Sequence, residues 1–309
     1  MVDVAVCSRS MSRDPFLRDA LLQRTDSVRF NDAGISLKGT ELIEFLSGAS
    51  QAVIALELLS EEIIRCCPDL KLISKYGVGI DNIDVEYLRR ADVSLKYTDG
   101  VNRRAVSELA LALMLMAVRN IPLATETVRM SKWKQVVGLE LSSQTVGIIG
   151  YGNVGSDLAG LLKPFGSRVV FHDILNFDSS NAEQLSLRDL LACSDIVSLH
   201  VPLTKDTDRM VNQQFLKLMK RGSILVNTAR GNLIDIDALK EAIETEQLSC
   251  AALDVFPEEP LVDRWFLNNP RIITTPHIGG SSQEAIRAMG MAAIKNLDDQ
   301  YFSNNKPVY

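Results

Sequence analysis

The sequence predicts an α/β protein built from two doubly wound parallel-sheet domains, and three observations predict it. Along residues 1–97, short apolar runs alternate with stretches of helical period, the pattern of strands covered by helices on both faces. Between residues 143 and 280 the alternation returns with six further strand-like runs. That second region opens on TVGIIGYGNVG, in which a β-branched run feeds glycines at Gly150, Gly152 and Gly155 in the spacing G-x-G-x-x-G.

Taken in order, the first region reads as runs at 2–7, 28–30, 52–56, 70–74 and 93–97, with helical patterns at 13–23, 39–46, 61–66 and 85–91 between them. Inside it, KYGVGIDN places Gly77 and Gly79 directly after a strand, where exposed backbone N–H groups can hold a small anion, although on local sequence alone a plain turn is the favoured reading. A long helix is predicted from Arg103 to about Asn120, with Asn102 as N-cap and Ala105, Leu109, Ala112, Leu113 and Met116 as its apolar face. An arm over 121–141 holding Trp133 follows. Core packing and a dimer contact both account for this stretch. The second region reads as strands at 145–149, 168–172, 195–200, 223–228, 250–255 and 272–275.

The glycines carry a physical meaning. Gly150 makes the tight turn, Gly152 lets backbone approach a pyrophosphate, and Gly155 lets the next helix pack close to the strand. The helix N-terminus then faces the phosphates. The following strand, RVVFHD, ends in Asp173 about 20 residues on, where an adenosine ribose lies in such folds. A carboxylate there accepts from both ribose hydroxyls and repels a 2′-phosphate, so the predicted cofactor is NAD rather than NADP.

Bulk properties narrow the class. At 46% hydrophobic and 23% charged the 309-residue chain reads as soluble and globular, and a net charge of −6 gives no reason to propose nucleic acid or an anionic membrane. Cys7, Cys66, Cys67, Cys193 and Cys250 show no C-x-x-C pair and read as buried free thiols of a reducing cytoplasm; no metal site is predicted. The start of the chain runs straight into a strand pattern with no basic, apolar leader, and the apolar run at 109–118 is about half a membrane span. A cytoplasmic protein is expected.

Ligands of such sheets sit off the carboxyl ends of the strands, which makes the last three strands informative. SILVNTAR ends in Arg230, CAALDVFPEEP runs on to Glu259, and RIITTPH ends in His277. Taken singly, each has a bland reading as a surface or loop residue. Together, beside a dinucleotide turn, they suit an alcohol–carbonyl redox reaction. His277 moves the proton, Glu259 fixes its tautomer and favours the imidazolium, and Arg230 holds a carboxylate or carbonyl oxygen.

KYGVGIDNID, GVNRRAVSELALALML, VGIIGYGNVG, SLHVPLT, NTARGNLID, AALDVFPEEP and TPHIGG follow one another along nearly the whole chain. The combination resembles the D-isomer-specific 2-hydroxyacid dehydrogenase family, and within it the phosphoglycerate dehydrogenases. The resemblance implies Arg230, Glu259 and His277 as the catalytic set, with NAD contacts from Gly150, Gly152, Asn153, Val154, Gly155, Asp173, Val201, Thr228 and Asp254. It implies that Val78 and Gly79 bind the substrate carboxylate through their backbone, and that His200 shapes a loop near the cofactor. It also implies a Rossmann NAD-binding domain over 99–281 inserted into a smaller flavodoxin-like substrate domain, 1–98 with 282–309. The implied substrate is a small 2-hydroxy or 2-keto acid, and the implied assembly a homodimer through the NAD-binding domain.

The chain departs from the phosphoglycerate dehydrogenases in the loop after the third strand. They commonly place an arginine there for the phosphate, and here it reads Leu56-Glu57-Leu58-Leu59, an acid facing that phosphate. Lys75, Arg103 and Arg104 are the cations that can compensate, or are solvated surface charges. A phosphite dehydrogenase-like enzyme shares the Arg, Glu and His set; formate dehydrogenases carry Gln where Glu259 stands. Relatives of this fold also act as NADH-sensing binding proteins, as C-terminal binding protein does.

Overall fold

A computed structural model describes residues 2–302. The chain divides into two compact units, with breaks after Asn102 and after Gly279. Both breaks lie a few residues from the expected 98/99 and 281/282, the first at the start of the long helix.

The first unit contains β1 Val2–Val6, α1 Arg9–Arg13, α2 Pro15–Leu22, β2 Val28–Phe30, α3 Gly39–Leu46, β3 Ala49–Ile54, α4 Glu61–Arg65, β4 Leu72–Lys75, α5 Val85–Arg90 and β5 Ser94–Lys96. It is completed by α13, Gln283–Asn296, from the far end of the chain. Its five strands are all parallel in the order β2-β1-β3-β4-β5, the flavodoxin-like order, with the topological switch between β1 and β3. The helix at α2 starts where the rules of capping put it: the Asp14 carboxylate accepts from the Leu17 N–H, and Pro15 fills the first turn. α13 lies close to α2, where a Cβ on Gly290 would stand 2.3 Å from Leu17, and the Ser74 hydroxyl donates to the Ala293 carbonyl. Cys66 is exposed, unlike Cys7 and Cys67, because it caps the short α4.

The second unit contains α6 Arg103–Val118, α7 Ile121–Arg129, β6 Thr145–Ile149, α8 Asn153–Leu162, β7 Arg168–His172, β8 Glu183–Gln184, α9 Leu187–Cys193, β9 Ile196–Leu199, α10 Gln213–Leu218, β10 Ser223–Asn227, α11 Ile236–Glu244, β11 Leu248–Leu253, α12 Arg264–Asn268 and β12 Ile272–Thr274. Its seven strands are parallel in the order β12-β11-β10-β9-β6-β7-β8. Alternate residues enter opposite cores: Ile148, Val169 and Phe171 one, Ile149, Val170 and Val197 the other. A sheet buried on both faces needs continuous apolar strands, and that is how these strands read.

Register sets up the site. Ile149 pairs with His172 and Leu199, Asn227 with Leu199 and Leu253, and Leu253 with Thr274. The next residue of each strand, namely Gly150, Asp173, His200, Thr228, Asp254 and Thr275, therefore falls in one row along the carboxyl edge.

The long helix buries a different face from the one expected. Val106, Ala110, Leu113, Met114 and Ala117 are buried, whereas Ala112 is exposed. The stretch is apolar nearly all round, so its spacing did not fix which side faces the core. The arm also contains a helix, α7, whose Pro122 occupies a first-turn position. Beyond α7, Trp133 and Val137 are 91% and 88% exposed. Among the described residues no single helix is long and apolar enough to cross a membrane.

Candidate active site

The glycine turn shows three different requirements. Gly150 has φ +90°, and a Cβ there would meet the His200 carbonyl oxygen at 2.6 Å and Val201 at 2.9 Å. A Cβ on Gly155 would stand 2.0 Å from the Gly150 oxygen, so this glycine lets α8 sit against the turn. Gly152 is different: its φ is −73°, and a Cβ would find nothing within 4 Å. Nothing within the protein demands glycine at 152. Gly152 is the N-cap of α8 and no side chain caps the helix, so the first-turn N–H groups of Asn153 and Val154 face outward. An open cavity of about 510 Å³ lies there, lined by Tyr151, Gly152, Asn153, Ser156 and the loop from Phe177 to Asn181.

Asp173 stands at the end of β7 beside this turn. One carboxylate oxygen accepts from the Tyr151 N–H at 2.7 Å and the other from the Leu175 N–H at 2.9 Å. Further along the edge, Thr228 is buried and its hydroxyl has no partner among the described residues. Val201 is half-buried against the core. His200 follows β9; its Nε2 meets the Ser198 hydroxyl at 2.8 Å, and burial lowers its pKa to about 4. A neutral, tethered imidazole does not deliver protons at neutral pH.

Arg230, Glu259 and His277 are brought together by three loops that hold one another. Asn227 is fully buried; its side chain donates to the Arg230 carbonyl at 2.8 Å and accepts from the Ala229 N–H at 3.0 Å, fixing the loop that presents Arg230. Next to it, a Cβ on Gly231 would stand 2.0 Å from the Phe256 carbonyl carbon. Only glycine lets this loop lie against the one bearing Glu259. Glu259 accepts from the Phe256 N–H at 3.0 Å through one oxygen and meets His277 Nδ1 at 2.8 Å through the other. Burial pushes the Glu259 carboxyl up, but the bonds from His277 and Phe256 and the charges of His277 and Arg230 outweigh it and hold the group below its ordinary value.

Asp254 organises the third loop. Its fully buried carboxylate accepts from the Thr275 hydroxyl at 2.6 Å and from the Ile278 and Gly279 N–H groups, each at 2.8 Å. Burial raises its pKa against the pull of those bonds. The His277 N–H donates to the Asp254 carbonyl at 2.9 Å, and His277 itself has φ +54°. A left-handed non-glycine residue costs on the order of 1–3 kcal/mol, and this web of bonds is what holds it. In the chain itself Asp254 thus acts first as the clamp of the His277 loop. Sequence reasoning missed Asn227 and Gly231; their only signal was a small or amide residue flanking the arginine.

Val78 and Gly79 belong to the first unit, at the carboxyl end of β4. Gly77 has φ +107°, and neither the Val78 nor the Gly79 N–H bonds to another described residue. The Glu57 loop is not as expected. Glu57 is only 8% exposed: its carboxylate folds back onto the Ala55 N–H at 2.7 Å, and Leu56 and Leu58 point outward instead. Lys75 is buried too, donating to the Ala55 carbonyl and, at 2.8 Å, to the Asn82 side chain. Arg104 pairs with Asp157 at 2.8 Å. The acid does not face solvent, and Lys75 is not a surface cation. Among the described residues no cluster of His, Cys, Asp and Glu could hold a metal ion.

Residues 111–279 match the model of the D-isomer specific 2-hydroxyacid dehydrogenase NAD binding domain. A hydroxypyruvate reductase of Thermotoga maritima is 34% identical over 92% of this chain and 95% of its own length. The chain belongs to the D-isomer specific 2-hydroxyacid dehydrogenase family. A D-3-phosphoglycerate dehydrogenase of Methanocaldococcus jannaschii is 35% identical over 92% of this chain, which spans 56% of that longer protein. Among solved structures, a D-lactate dehydrogenase of Aquifex aeolicus complexed with NAD and lactic acid superposes with a TM-score of 0.81 at 27% identity, covering 94% of this chain and 93% of that one.

The chain is accordingly an NAD-dependent oxidoreductase of this family, and its residues fit the cofactor. The space beyond Gly152, the uncapped start of α8 and the unpartnered Thr228 hydroxyl all call for a polar group the protein does not supply. Asp173→Ala should weaken NADH binding far more than NADPH binding, read as dissociation constants from fluorescence titration. Equal loss for both would place the effect in the lost Tyr151 contact rather than at the ribose.

Proposed function

We propose that this dehydrogenase interconverts a small D-2-hydroxy acid and its 2-keto acid, with His277 as the acid/base. The observation that carries the reading is the 2.8 Å contact between His277 Nδ1 and a Glu259 carboxylate held below its ordinary pKa. Bound NAD supplies or accepts the hydride. Glu259 anchors Nδ1–H and leaves Nε2 as the nitrogen that gives its proton to the carbonyl oxygen in reduction and takes the hydroxyl proton in oxidation. The positive imidazolium required for reduction is stabilised by the adjacent carboxylate.

Arg230, presented by the Asn227 turn, holds the carboxylate and carbonyl oxygens through its fork of donors. The unbonded Val78 and Gly79 N–H groups bind the substrate carboxylate. Val201 lines the cofactor site, and Asp254 holds the His277 loop. Trp133 and Val137, exposed on the arm beyond α7, support a homodimer through the second unit.

The substrate is best sought among hydroxypyruvate, glyoxylate and phosphohydroxypyruvate, the acids suggested by relatives on both sides of the family. The deciding measurement is NADH oxidation with these acids, pyruvate and branched or aromatic 2-keto acids. Saturable turnover of at least one is expected. No turnover of any, together with intact NADH binding, would favour an NADH-sensing protein.

A further inference from the structure

The first unit carries a basic cleft that the reaction above does not use. It has a volume of about 480 Å³ and opens between α1, the start of α2 and the first turns of α13, where Arg9, Arg13 and Arg287 line it with Ser10, Asp14 and Gln283. Asp14 is the only acid there, and it is committed: one oxygen caps α2 and the other meets Arg287 Nε at 3.4 Å. Arg287 is further fixed over the Phe16 ring at 5.3 Å.

Arg9 and Arg13, by contrast, make no ion pair with a described residue. Arg13 is nonetheless held in place, because its guanidinium lies flat on Gly34, where a Cβ would stand 2.2 Å from Nη2. Three cations and one occupied anion line this cleft, in a chain whose net charge is −6. Such an excess of positive charge attracts an anion.

Its position in the fold adds to this. α1 leaves the carboxyl end of β1 at the switch point between β1 and β3, where open parallel sheets bind ligands. The Tyr76 phenol, on the residue directly before Gly77, donates at 3.3 Å to the carbonyl of Ile286, which lines the cleft.

We infer that this cleft binds a phosphate dianion, gripped by Arg9 and Arg13 with Arg287 shared between the phosphate and Asp14. Forked guanidinium donors match phosphate oxygens, whereas a hydrated monovalent anion would not repay ordering two long side chains. The phosphate is either free or esterified to the acid being reduced, and the site's existence does not depend on the chemistry proposed above.

The test uses the full chain and inorganic phosphate in isothermal titration at constant ionic strength, comparing the wild type with the R9Q/R13Q double variant. Saturable binding in the wild type, weakened about tenfold or more in the variant and partly restored in R9K/R13K, is expected. Absent saturable binding in the wild type, or equal binding in both proteins, would overturn the inference. Should the double variant fold poorly by circular dichroism, R9Q alone serves, with the same two outcomes. Steady-state kinetics then separate the sources. A KM for phosphohydroxypyruvate raised about tenfold in the variant, with hydroxypyruvate kinetics unchanged, places the phosphate on the substrate. Unchanged KM for both, with phosphate binding still lost, makes it a free ion.

Discussion

Replacing His277 by Ala should lower kcat for 2-keto acid reduction by about 10²- to 10⁴-fold, the range for loss of a positioned general acid. NADH affinity should change little, because the glycine turn and Asp173 lie elsewhere along the strand edge. Glu259→Gln is the informative companion. The amide still accepts a hydrogen bond but carries no charge, so the imidazolium loses its counter-ion. Reduction requires that imidazolium, so kcat/KM for reduction should fall about tenfold or more while NADH binding is retained. In the wild type Glu259 is held below its ordinary value, so its charge survives until pH falls beneath the usual carboxylate range, and the activity that depends on it should persist to that pH. A near-normal kcat for His277→Ala would sink the assignment, and an unchanged kcat/KM in Glu259→Gln would reduce the carboxylate to a packing role.

Two glycines three residues apart should fail in opposite ways. Gly155→Ala places a Cβ 2.0 Å from the Gly150 oxygen, a backbone atom that has no room to yield. Overpacking of this kind costs about 1–3 kcal/mol or more, and thermal denaturation should show it as a Tm lower by several degrees. Gly152→Ala adds a methyl group into open space, so Tm should stay within about a degree, while the NADH dissociation constant rises about tenfold or more as the methyl blocks the pyrophosphate. If Gly152→Ala binds NADH like the wild type, the phosphates do not pass over that residue.

The strands β6 and β7 of the second sheet were legible to the residue, because each has a β-branched apolar run closed by a glycine or an acid. β8 was not, since two polar residues at a sheet edge carry no periodic signal. Neither was the buried face of α6, where apolar residues on every side leave the orientation to its neighbours. The placement of Arg230, Glu259 and His277 at strand ends was readable from strand counting alone. What holds them there was not. Gly231 and Asp254 act through bonds and close approaches between segments 20 or more residues apart, which no local pattern encodes, and Asn227 acts through a turn whose bonds a polar residue in a strand run does not announce. Glu57 shows a different limit: its type suggested a charge facing a ligand, and a local contact with the Ala55 N–H two residues away decided otherwise.

The way that loop is fastened bears on how such a chain can diverge. Its stem is tied from inside by Glu57, and from β4 and beyond by Lys75 and Asn82, whose side chains hold the Ala55 and Glu57 carbonyls. Leu56 and Leu58 take no part in that fastening and are 59% and 63% exposed. The tip is thus an exchangeable head on a fixed mount. Substitutions at these two positions can change the tip while leaving the sheet, the Gly77 turn and the proton-handling pair untouched. Sequence change can therefore accumulate here one residue at a time without loosening the mount.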